Sequence, residues 1–289
     1  MYFTRRAASI TVAALLASAL GLSGAFAADK PAAKGEFTPQ VGQEGKDVIW
    51  VPTPQSLVER MLQMAGTKPT DYVVDLGSGD GRTVITAAKK FGARALGVEY
   101  NPDMVALAKR AAEKEGVADK AQFVQGDIFQ TDFTKANVLT LYLLPSLNLK
   151  LRPIILDKMR PGTRVVSHAF TMDDWQADQV DSSEGRTAYM WIVPAKVAGN
   201  WTIDVAGGGA RSYEASFTQK FQMIEGNARS TGKLSPVSNG KLRGEQITFT
   251  IEDGGKREFT GRVIGDRMEG TAKGAGGDAK WTARRTEGK

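Results

Sequence analysis

The spacing of apolar residues changes once along the chain, near residue 197. Before that point, short apolar runs of strand length alternate with stretches whose apolar residues recur at helical spacing. This alternation predicts an α/β domain of the doubly wound, Rossmann-like type, in which a parallel sheet carries helices on both faces. The predicted strands cover 72–75, 95–100, 121–127, 137–144, 164–169 and 189–193, and the predicted helices cover 54–64, 82–91, 102–115 and 146–159, the last interrupted near Pro153.

After residue 197 the apolar residues alternate with polar ones, and helical spacing disappears. Tyr213, Ala215 and Phe217 show the alternation, and 17 of the 32 glycines fall in the last 93 residues, several of them in pairs at hairpin intervals. This pattern predicts a small antiparallel all-β domain of the meander or barrel type. Trp201 opens the unit and Trp281 closes it. Both are interpreted as core residues, with a ligand or partner role as the alternative, because concave β domains bind small molecules.

The amino terminus has the pattern of a secretory signal peptide. Arg5 and Arg6 precede an apolar stretch over 7–22, and Ala25-Phe26-Ala27 fits a cleavage site. Export, with a periplasmic location, is therefore expected. The predicted organisation is a signal peptide at 1–27, a flexible leader at 28–50 with order beginning near Trp50, a first domain at 51–196 and a carboxyl-terminal β domain at 197–289.

Charge and cysteine content restrict the function. The net charge of +6 does not come from the first domain with its leader, because residues 28–196 contain 21 basic and 21 acidic side chains. Nucleic-acid enzymes need a concentrated basic face to neutralise phosphates, so a nucleic-acid substrate is disfavoured. The sequence has no cysteine, which excludes disulfides and thiolate metal sites. No metal site is predicted.

One motif carries most of the functional information. Residues 72–82 read Y-V-V-D-L-G-S-G-D-G-R, an apolar strand that ends in Asp75 and breaks into three alternating glycines before a helix. Glycine allows a sharp turn and a close backbone approach to a ligand, and the following helix presents free N–H groups. The spacing G-x-G-x-G differs from the G-x-G-x-x-G of dinucleotide dehydrogenases and favours another adenosine-bearing cofactor.

Three successive predicted strands each end near a carboxylate. These residues are Asp75, Glu99 and Asp127. Glu99 follows Asp75 by 24 positions, about the interval at which a strand-end acid meets ribose hydroxyls. Because open α/β sheets bind ligands at the carboxyl edge of their strands, the three acids predict a nucleoside site there. Strand-end acids that serve only as helix caps are the structural alternative.

Residues 51–195 resemble a class I S-adenosylmethionine-dependent methyltransferase, and within that group the short seven-strand protein lysine methyltransferases of the mitochondrial type. The resemblance depends on D-L-G-S-G-D-G-R-T-V-I-T-A-A-K-K at 75–90, with supporting segments at 51–54, 141–147 and 170–175. The signal peptide and the β domain, which is similar to lipocalin-like barrels or sandwiches of exported enzymes, depart from those relatives.

The resemblance implies S-adenosylmethionine as the cofactor and assigns its contacts residue by residue. Asp75, Gly77 and Gly79 would surround the methionine part, with Ser78 and Gly81 in the same turn. The remaining assignments are Glu99 at the ribose, Asp127 with Ile128 at the adenine, and Thr53 from the leading segment.

The candidate acceptor residues follow the fourth and fifth strands. Tyr142 is expected to line an apolar acceptor pocket, with Pro145 shaping its loop. His168 is the sole histidine and is either a general base or a hydrogen-bonded structural residue. Asp173 and Asp174 either contact an incoming lysine or are solvated.

The leading hypothesis is an exported S-adenosylmethionine-dependent methyltransferase that acts on a protein lysine amine. Two alternatives remain open at this stage. One is an envelope-associated binding protein that keeps the nucleoside fold without turnover, and the other is a methyltransferase with a small-molecule acceptor. The sequence does not indicate an oligomeric state.

Overall fold

The structure, a computed structural model, describes residues 37–183, 185–207 and 211–286. The predicted signal peptide and the first part of the predicted leader lie outside the described residues. None of the helices within the described ranges has the length and apolar character needed to cross a membrane.

Helices and strands alternate through most of the first domain. Their order begins with helix α1, which precedes strand β1, and ends with two strands that no helix separates. The elements are α1 (Gln55–Met64), β1 (Tyr72–Leu76), α2 (Arg82–Phe91), β2 (Arg94–Glu99), α3 (Pro102–Lys114), β3 (Ala121–Gln125), β4 (Val138–Leu141), α4 (Pro145–Lys158), β5 (Arg164–His168), β6 (Gln179–Ser183) and β7 (Arg186–Ile192).

These seven strands form one sheet in the order β3-β2-β1-β4-β5-β7-β6. The first five are parallel, as predicted. The prediction of a parallel sheet is wrong for β7, which runs antiparallel to β5, and β6 was not predicted. The sequence Q-V-D-S-S of β6 lacks an apolar run because β6 is an edge strand, and Val180 is largely exposed.

Local sequence signals fix the helices of this domain. The side chain of Asn101 caps α3 by accepting hydrogen bonds from the backbone N–H groups of Asp103 and Met104, and Pro102 occupies the first turn. The methionines of α1, Met61 and Met64, are buried in the core as predicted. The predicted interruption of α4 at Pro153 is wrong, because the helix continues from Pro145 to Lys158 and the proline lies on its exposed side.

The carboxyl-terminal part of the chain is a closed antiparallel barrel of eight strands. Alternate residues point inward, as the sequence pattern predicts, and Trp201 and Trp281 are both buried in the core. The rings of Phe249 and Phe259 stack at 4.5 Å, and Trp281 meets both edge-on at 5.6 Å. The strands are β8 (Gly199–Val205), β9 (Arg211–Lys220), β10 (Met223–Ser230), β11 (Lys233–Arg243), β12 (Gln246–Glu252), β13 (Lys256–Ile264), β14 (Arg267–Gly274) and β15 (Gly277–Thr286).

The turn between β11 and β12 rests directly on the first domain. The carbonyl oxygen of Gly244 accepts a hydrogen bond from the N–H of Ala195 at 2.8 Å. A Cβ atom on Gly244 would lie 2.9 Å from the Cα of Gly162, and its φ of +63° lies in the left-handed region. Glycine is therefore required here both for space and for conformation.

Candidate functional site

The carboxyl edge of β1, β2 and β4 opens into a cavity of about 860 Å³. A cavity of this size is within the range of small-molecule and cofactor sites. Its walls come from the glycine-rich turn, from the ends of β2, β3 and β4, from Phe170 after β5, and from residues 43–53 of the leading segment. All of the residues that were predicted to bind the cofactor, except Gly81, line this cavity.

The glycine-rich turn has a backbone that only glycine adopts without strain. Gly77, Gly79 and Gly81 have φ angles of +77°, +53° and +83°. A Cβ atom on Gly77 would lie 3.1 Å from Leu143, and one on Gly79 would lie 2.7 Å from the indole nitrogen of Trp50. Both glycines line the cavity.

Gly81, the third glycine of the turn, was also predicted to bind the cofactor. It does not line the cavity, and an added Cβ would lie 2.6 Å from Phe123 and 2.8 Å from the Cβ of Ala108. Gly81 therefore allows close packing of the turn against β3 and α3. Ser78 does line the cavity, but its hydroxyl is buried without a hydrogen-bond partner in the structure.

Glu99 holds the glycine-rich turn in position. One carboxylate oxygen accepts a hydrogen bond from the N–H of Gly79 at 2.9 Å, and the other accepts one from the N–H of Asn101 at 2.9 Å. Each oxygen has a second lone pair, and Glu99 lines the cavity. The carboxylate can therefore bind two hydroxyl groups while it anchors the turn.

Asp75 lies at the base of the cavity and is almost completely buried. Its carboxylate accepts a hydrogen bond from the hydroxyl of Thr140 at 2.6 Å. Burial raises the pKa of Asp75 to about 7; the hydrogen bonds from Thr140 and Thr83 oppose the rise, and the charge of Glu99 adds to it. A buried carboxylate in this environment is suited to a cationic group of a ligand.

Asp127 and Ile128, which follow β3, also line the cavity. The carboxylate of Asp127 accepts hydrogen bonds from the Nζ of Lys46 at 2.5 Å and from the N–H of Phe129 at 2.8 Å. The bond from Lys46 lowers the pKa of Asp127, so this carboxylate is ionised at neutral pH. The Lys46 ammonium also lies 5.0 Å from the centre of the Tyr100 ring.

Residues 42–50 form a small hairpin over the cavity. The N–H of Gly42 donates to the carbonyl oxygen of Trp50, and the N–H of Trp50 donates to that of Gln43, both at 2.9 Å. The expectation that order begins near Trp50 is therefore wrong for residues 37–50. No local pattern signals this hairpin, because the contact between Lys46 and Asp127 joins positions 81 residues apart.

If the cavity holds the cofactor that the sequence resemblance implies, we predict that Trp50→Ala weakens binding of S-adenosylhomocysteine about tenfold, mainly by speeding its release. The indole covers Gly79, and its removal opens the site to water and removes an apolar contact worth about 1 to 2 kcal/mol. Stopped-flow measurement of the dissociation rate tests this. Val41→Ala is the control, because Val41 is largely exposed beside the hairpin; an unchanged rate in Trp50→Ala would contradict the prediction.

The part of the cavity next to the end of β4 is aromatic and apolar. Tyr142 follows β4 directly and lines the cavity together with Leu143, Leu147 and Phe170. The Tyr142 ring stacks on the ring of His168 at 3.8 Å and lies 6.2 Å from that of Phe170. Tyr142 therefore lines an apolar part of the cavity, and its contact with an acceptor stays a prediction.

His168 does not fit the role of general base. It is buried behind Tyr142 and does not line the cavity. Its Nδ1 lies 3.1 Å from the hydroxyl of Thr53, which does line the cavity. Burial lowers the pKa of His168 to about 4, with a contribution from Arg186, so the ring is neutral and weakly basic at pH 7. Its contacts show a residue that supports Tyr142 and Thr53.

The two acids of the loop after β5 have different surroundings, because Asp173 is exposed to solvent whereas Asp174 forms ion pairs. Asp174 pairs with Arg152 at 2.7 Å and with Lys220 of the barrel at 3.1 Å. Trp175 is buried, and its carbonyl oxygen accepts a hydrogen bond from the indole of Trp191. An incoming lysine would therefore find Asp174 already neutralised.

Comparison with known proteins adds independent findings. A model of the ANTKMT methyltransferase domain matches residues 75–179. A protein-lysine N-methyltransferase of Saccharolobus islandicus (strain REY15A) is 41% identical over 151 residues, which cover 50% of this chain and 94% of that protein. The adenine nucleotide translocase lysine N-methyltransferase of Mus musculus is 31% identical over 158 residues, which cover 53% of this chain and 61% of the mouse protein.

A solved structure is also similar. The RNA methyltransferase from Salinibacter ruber in complex with S-adenosyl-L-homocysteine is 51% identical, with a TM-score of 0.50 over 51% of this chain and 96% of that one.

Proposed function

This chain belongs to the family of S-adenosylmethionine-dependent methyltransferases that includes the Saccharolobus islandicus enzyme, and we propose that it transfers the methyl group to a protein lysine amine. The observation that supports the proposal is the meeting, in one cavity, of a turn free of Cβ atoms with an apolar, aromatic wall. The first feature suits the cofactor, and the second suits an amine that must be uncharged to react.

The residues of the cavity fit S-adenosylmethionine. The backbone of Gly77 and Gly79 leaves room that a side chain would fill, and Glu99 has free lone pairs for two hydroxyl groups. We assign Asp75 to the amino group of the cofactor, Glu99 to the ribose, and Asp127 with Ile128 to the adenine. When bound, the cofactor supplies an electrophilic methyl group on a sulfonium centre. The task left to the protein is to align the acceptor and exclude water.

A lysine acceptor has to lose a proton before it reacts. With a reference pKa near 10.4, the neutral amine costs roughly 4 to 5 kcal/mol at pH 7. Tyr142, Leu143, Leu147 and Phe170 supply apolar surroundings that lower the pKa of an amine placed among them. Because Asp174 is paired with Arg152 and Lys220, it does not stabilise the ammonium form.

RNA is the second acceptor to consider, because the similar Salinibacter ruber protein is an RNA methyltransferase. The charge of this domain argues against RNA as the acceptor. Residues 28–196 have no net charge, and three basic residues at or near the cavity, Lys46, Arg82 and Arg152, are paired with carboxylates. Recognition of RNA needs cations that are free to meet phosphates. A protein amine therefore agrees better with the described surface.

Two measurements test the proposal. Titration calorimetry with S-adenosylmethionine and S-adenosylhomocysteine should show binding, and its absence at millimolar ligand would contradict the cofactor assignments. Transfer from tritiated S-adenosylmethionine to poly-L-lysine, compared with poly-L-arginine and bulk transfer RNA, identifies the acceptor chemistry. Label in poly-L-lysine supports the proposal, whereas label in RNA alone would overturn it.

We predict that Tyr142→Ala lowers kcat for poly-L-lysine 10- to 100-fold, whereas Tyr142→Phe retains most of the activity. The alanine variant removes the ring that forms the acceptor wall and leaves a gap over His168, and the phenylalanine variant keeps the 3.8 Å stack. Steady-state kinetics together with cofactor titration test this. Equal losses in both variants would instead assign the reaction to the hydroxyl group.

We further propose that the protein is exported to the periplasm. The supporting pattern is Arg5 and Arg6 before the apolar stretch 7–22 and Ala25-Phe26-Ala27. Because the cofactor is made in the cytosol, export of a folded, loaded enzyme by the twin-arginine route would reconcile location with activity. A reporter fused to residues 1–40 tests both points: cytoplasmic retention would contradict export, and export without the twin-arginine translocase would contradict that route.

A further inference from the structure

The loop after β5, residues 169–176, forms one wall of the acceptor side. Phe170 lines the cavity and lies beside Tyr142. The loop is under backbone strain, because Ala169 and Asp173 have φ angles of +64° and +58°. Residues other than glycine adopt this region only when surrounding contacts hold them there. The contacts that hold the loop therefore determine where Phe170 lies.

Helix α4 supplies the first set of these contacts. The side-chain amide of Asn148 donates to the carbonyl oxygens of Phe170 and Thr171 at 3.4 and 3.3 Å. Arg152 donates to the carbonyl oxygen of Met172 and to the carboxylate of Asp174, both at 2.7 Å. These bonds fix the loop on the side of the helix.

The barrel supplies the second set, through the turn between β9 and β10. The Phe221 ring stacks on Trp175 with centroids 5.9 Å apart and planes inclined by 19°. Arg152 lies 5.3 Å from the centre of the same ring. The side-chain amide of Gln222 donates to the carbonyl oxygen of Gln176 at 2.8 Å, and Lys220 pairs with Asp174. Phe221 thus packs against the hydrophobic cluster of the first domain.

The conformation of Phe221 itself indicates that this contact is a specific one. Its φ of +54° places a bulky aromatic residue in the left-handed region, where glycine or asparagine is the usual residue. The structure accepts this strain at a position where the ring contacts both Trp175 and Arg152. A turn that served only to connect two strands would not need an aromatic residue here.

We infer that Phe221 is a positioning residue of the methyltransferase, through which the barrel fixes the Phe170–Trp175 loop and thereby the acceptor wall. The inference assigns the barrel a place in acceptor recognition, and for that part it depends on the proposed function. The effect runs from Phe221 to Trp175 and along the strained loop to Phe170. Phe221 is not expected to affect cofactor binding, because it does not line the large cavity.

Phe221→Asn removes the ring but keeps a residue that tolerates positive φ, so the barrel hairpin should still form. We expect amide exchange in residues 170–176 to rise at least tenfold by hydrogen–deuterium exchange mass spectrometry, while the barrel strands keep their protection. We also expect the KM for poly-L-lysine to rise at least fivefold and the Kd for S-adenosylhomocysteine to stay within twofold. Phe221→Tyr keeps the ring and should restore both the wild-type amide exchange in residues 170–176 and the wild-type KM.

Thr231→Asn is the matched control, since Thr231 has a φ of +47° in the exposed turn between β10 and β11, at the other end of the barrel. Normal exchange in residues 170–176 of a folded Phe221→Asn protein would overturn the inference. If that variant loses barrel protection, Phe221→Gly provides the same comparison. Failure of the wild type to methylate poly-L-lysine would count against the lysine proposal, but the exchange data would still decide the role of Phe221.

Discussion

Asp75→Asn should make the cofactor-free protein more stable at pH 8 and at the same time weaken S-adenosylmethionine binding about 100-fold. The pKa of Asp75 is raised from its ordinary value of 3.8 to about 7, so the folded protein holds an unfavourable buried charge above that pH. The difference between these two pKa values corresponds to a loss of about 4 kcal/mol in the free energy of unfolding. Even a partial recovery of this energy should raise Tm by several degrees.

The sign of the effect follows from proton linkage. Because the pKa is higher in the folded state than in the unfolded chain, this carboxyl group lowers stability progressively as the pH rises from about 4 to about 7, and the full loss is present above 7. The stability advantage of Asp75→Asn should therefore shrink as the pH falls from 7 toward 4. Differential scanning fluorimetry across this range tests the prediction.

Cofactor affinity should change in the opposite direction. A hydrogen bond between the ionised carboxylate and the cofactor amino group is worth about 1.5 to 3 kcal/mol. Wild-type affinity should rise with pH up to about 7 and then level off, whereas the variant should lack this dependence. Asp119→Asn, at an exposed position, is the control. A variant that is both less stable and still able to bind would contradict the assignment of Asp75.

The second large effect is expected for Glu99→Ala, which should reduce the affinity for S-adenosylhomocysteine at least 100-fold. The carboxylate both anchors the N–H groups of Gly79 and Asn101 and faces the position assigned to the ribose. Removal leaves two backbone donors without their acceptor and takes away charge-assisted hydrogen bonds to the hydroxyl groups. Titration calorimetry gives the size of the loss.

A sharper comparison uses the 2′-deoxy analogue of S-adenosylhomocysteine. Wild type should bind the parent ligand much more tightly than the analogue, and Glu99→Ala should bind the two almost equally. Glu113→Gln changes an exposed acid of the nearby helix α3 and should keep the wild-type preference. A preference that persisted in Glu99→Ala would show that another group reads the hydroxyl.

Features that depend on neighbouring residues could be predicted from the sequence. Helix α2 begins and ends at the predicted residues, and Asn101 caps α3, because both signals lie within a few positions of the helix ends. The glycine-rich turn and the three strand-end carboxylates meet at one edge because parallel strands carry their carboxyl ends to the same side.

Features that depend on distant residues could not be predicted from the sequence. The hairpin at 42–50 is held by Lys46 and Asp127, and no local pattern relates these two positions. His168 has a reference pKa suited to a base, but burial lowers its pKa, and neither this burial nor the contacts with Tyr142 and Thr53 can be read from the sequence. The docking of Phe221 on Trp175 joins residues of two domains and becomes visible only in three dimensions.

Gly244 packs against Gly162 of the first domain, so the turns at this end of the barrel should tolerate fewer sequence changes than the turns at the other end. Turns of a meander alternate between its two ends, so the turns at 221–222 and 244–245 share the end that touches the catalytic domain. The turns at 231–232, 253–255 and 275–276 lie at the opposite end, where glycines such as Gly232, Gly254 and Gly276 have open space around them. Insertions and changes of composition should accumulate among homologues at that free end, while the length and residues of the seated turns remain nearly fixed.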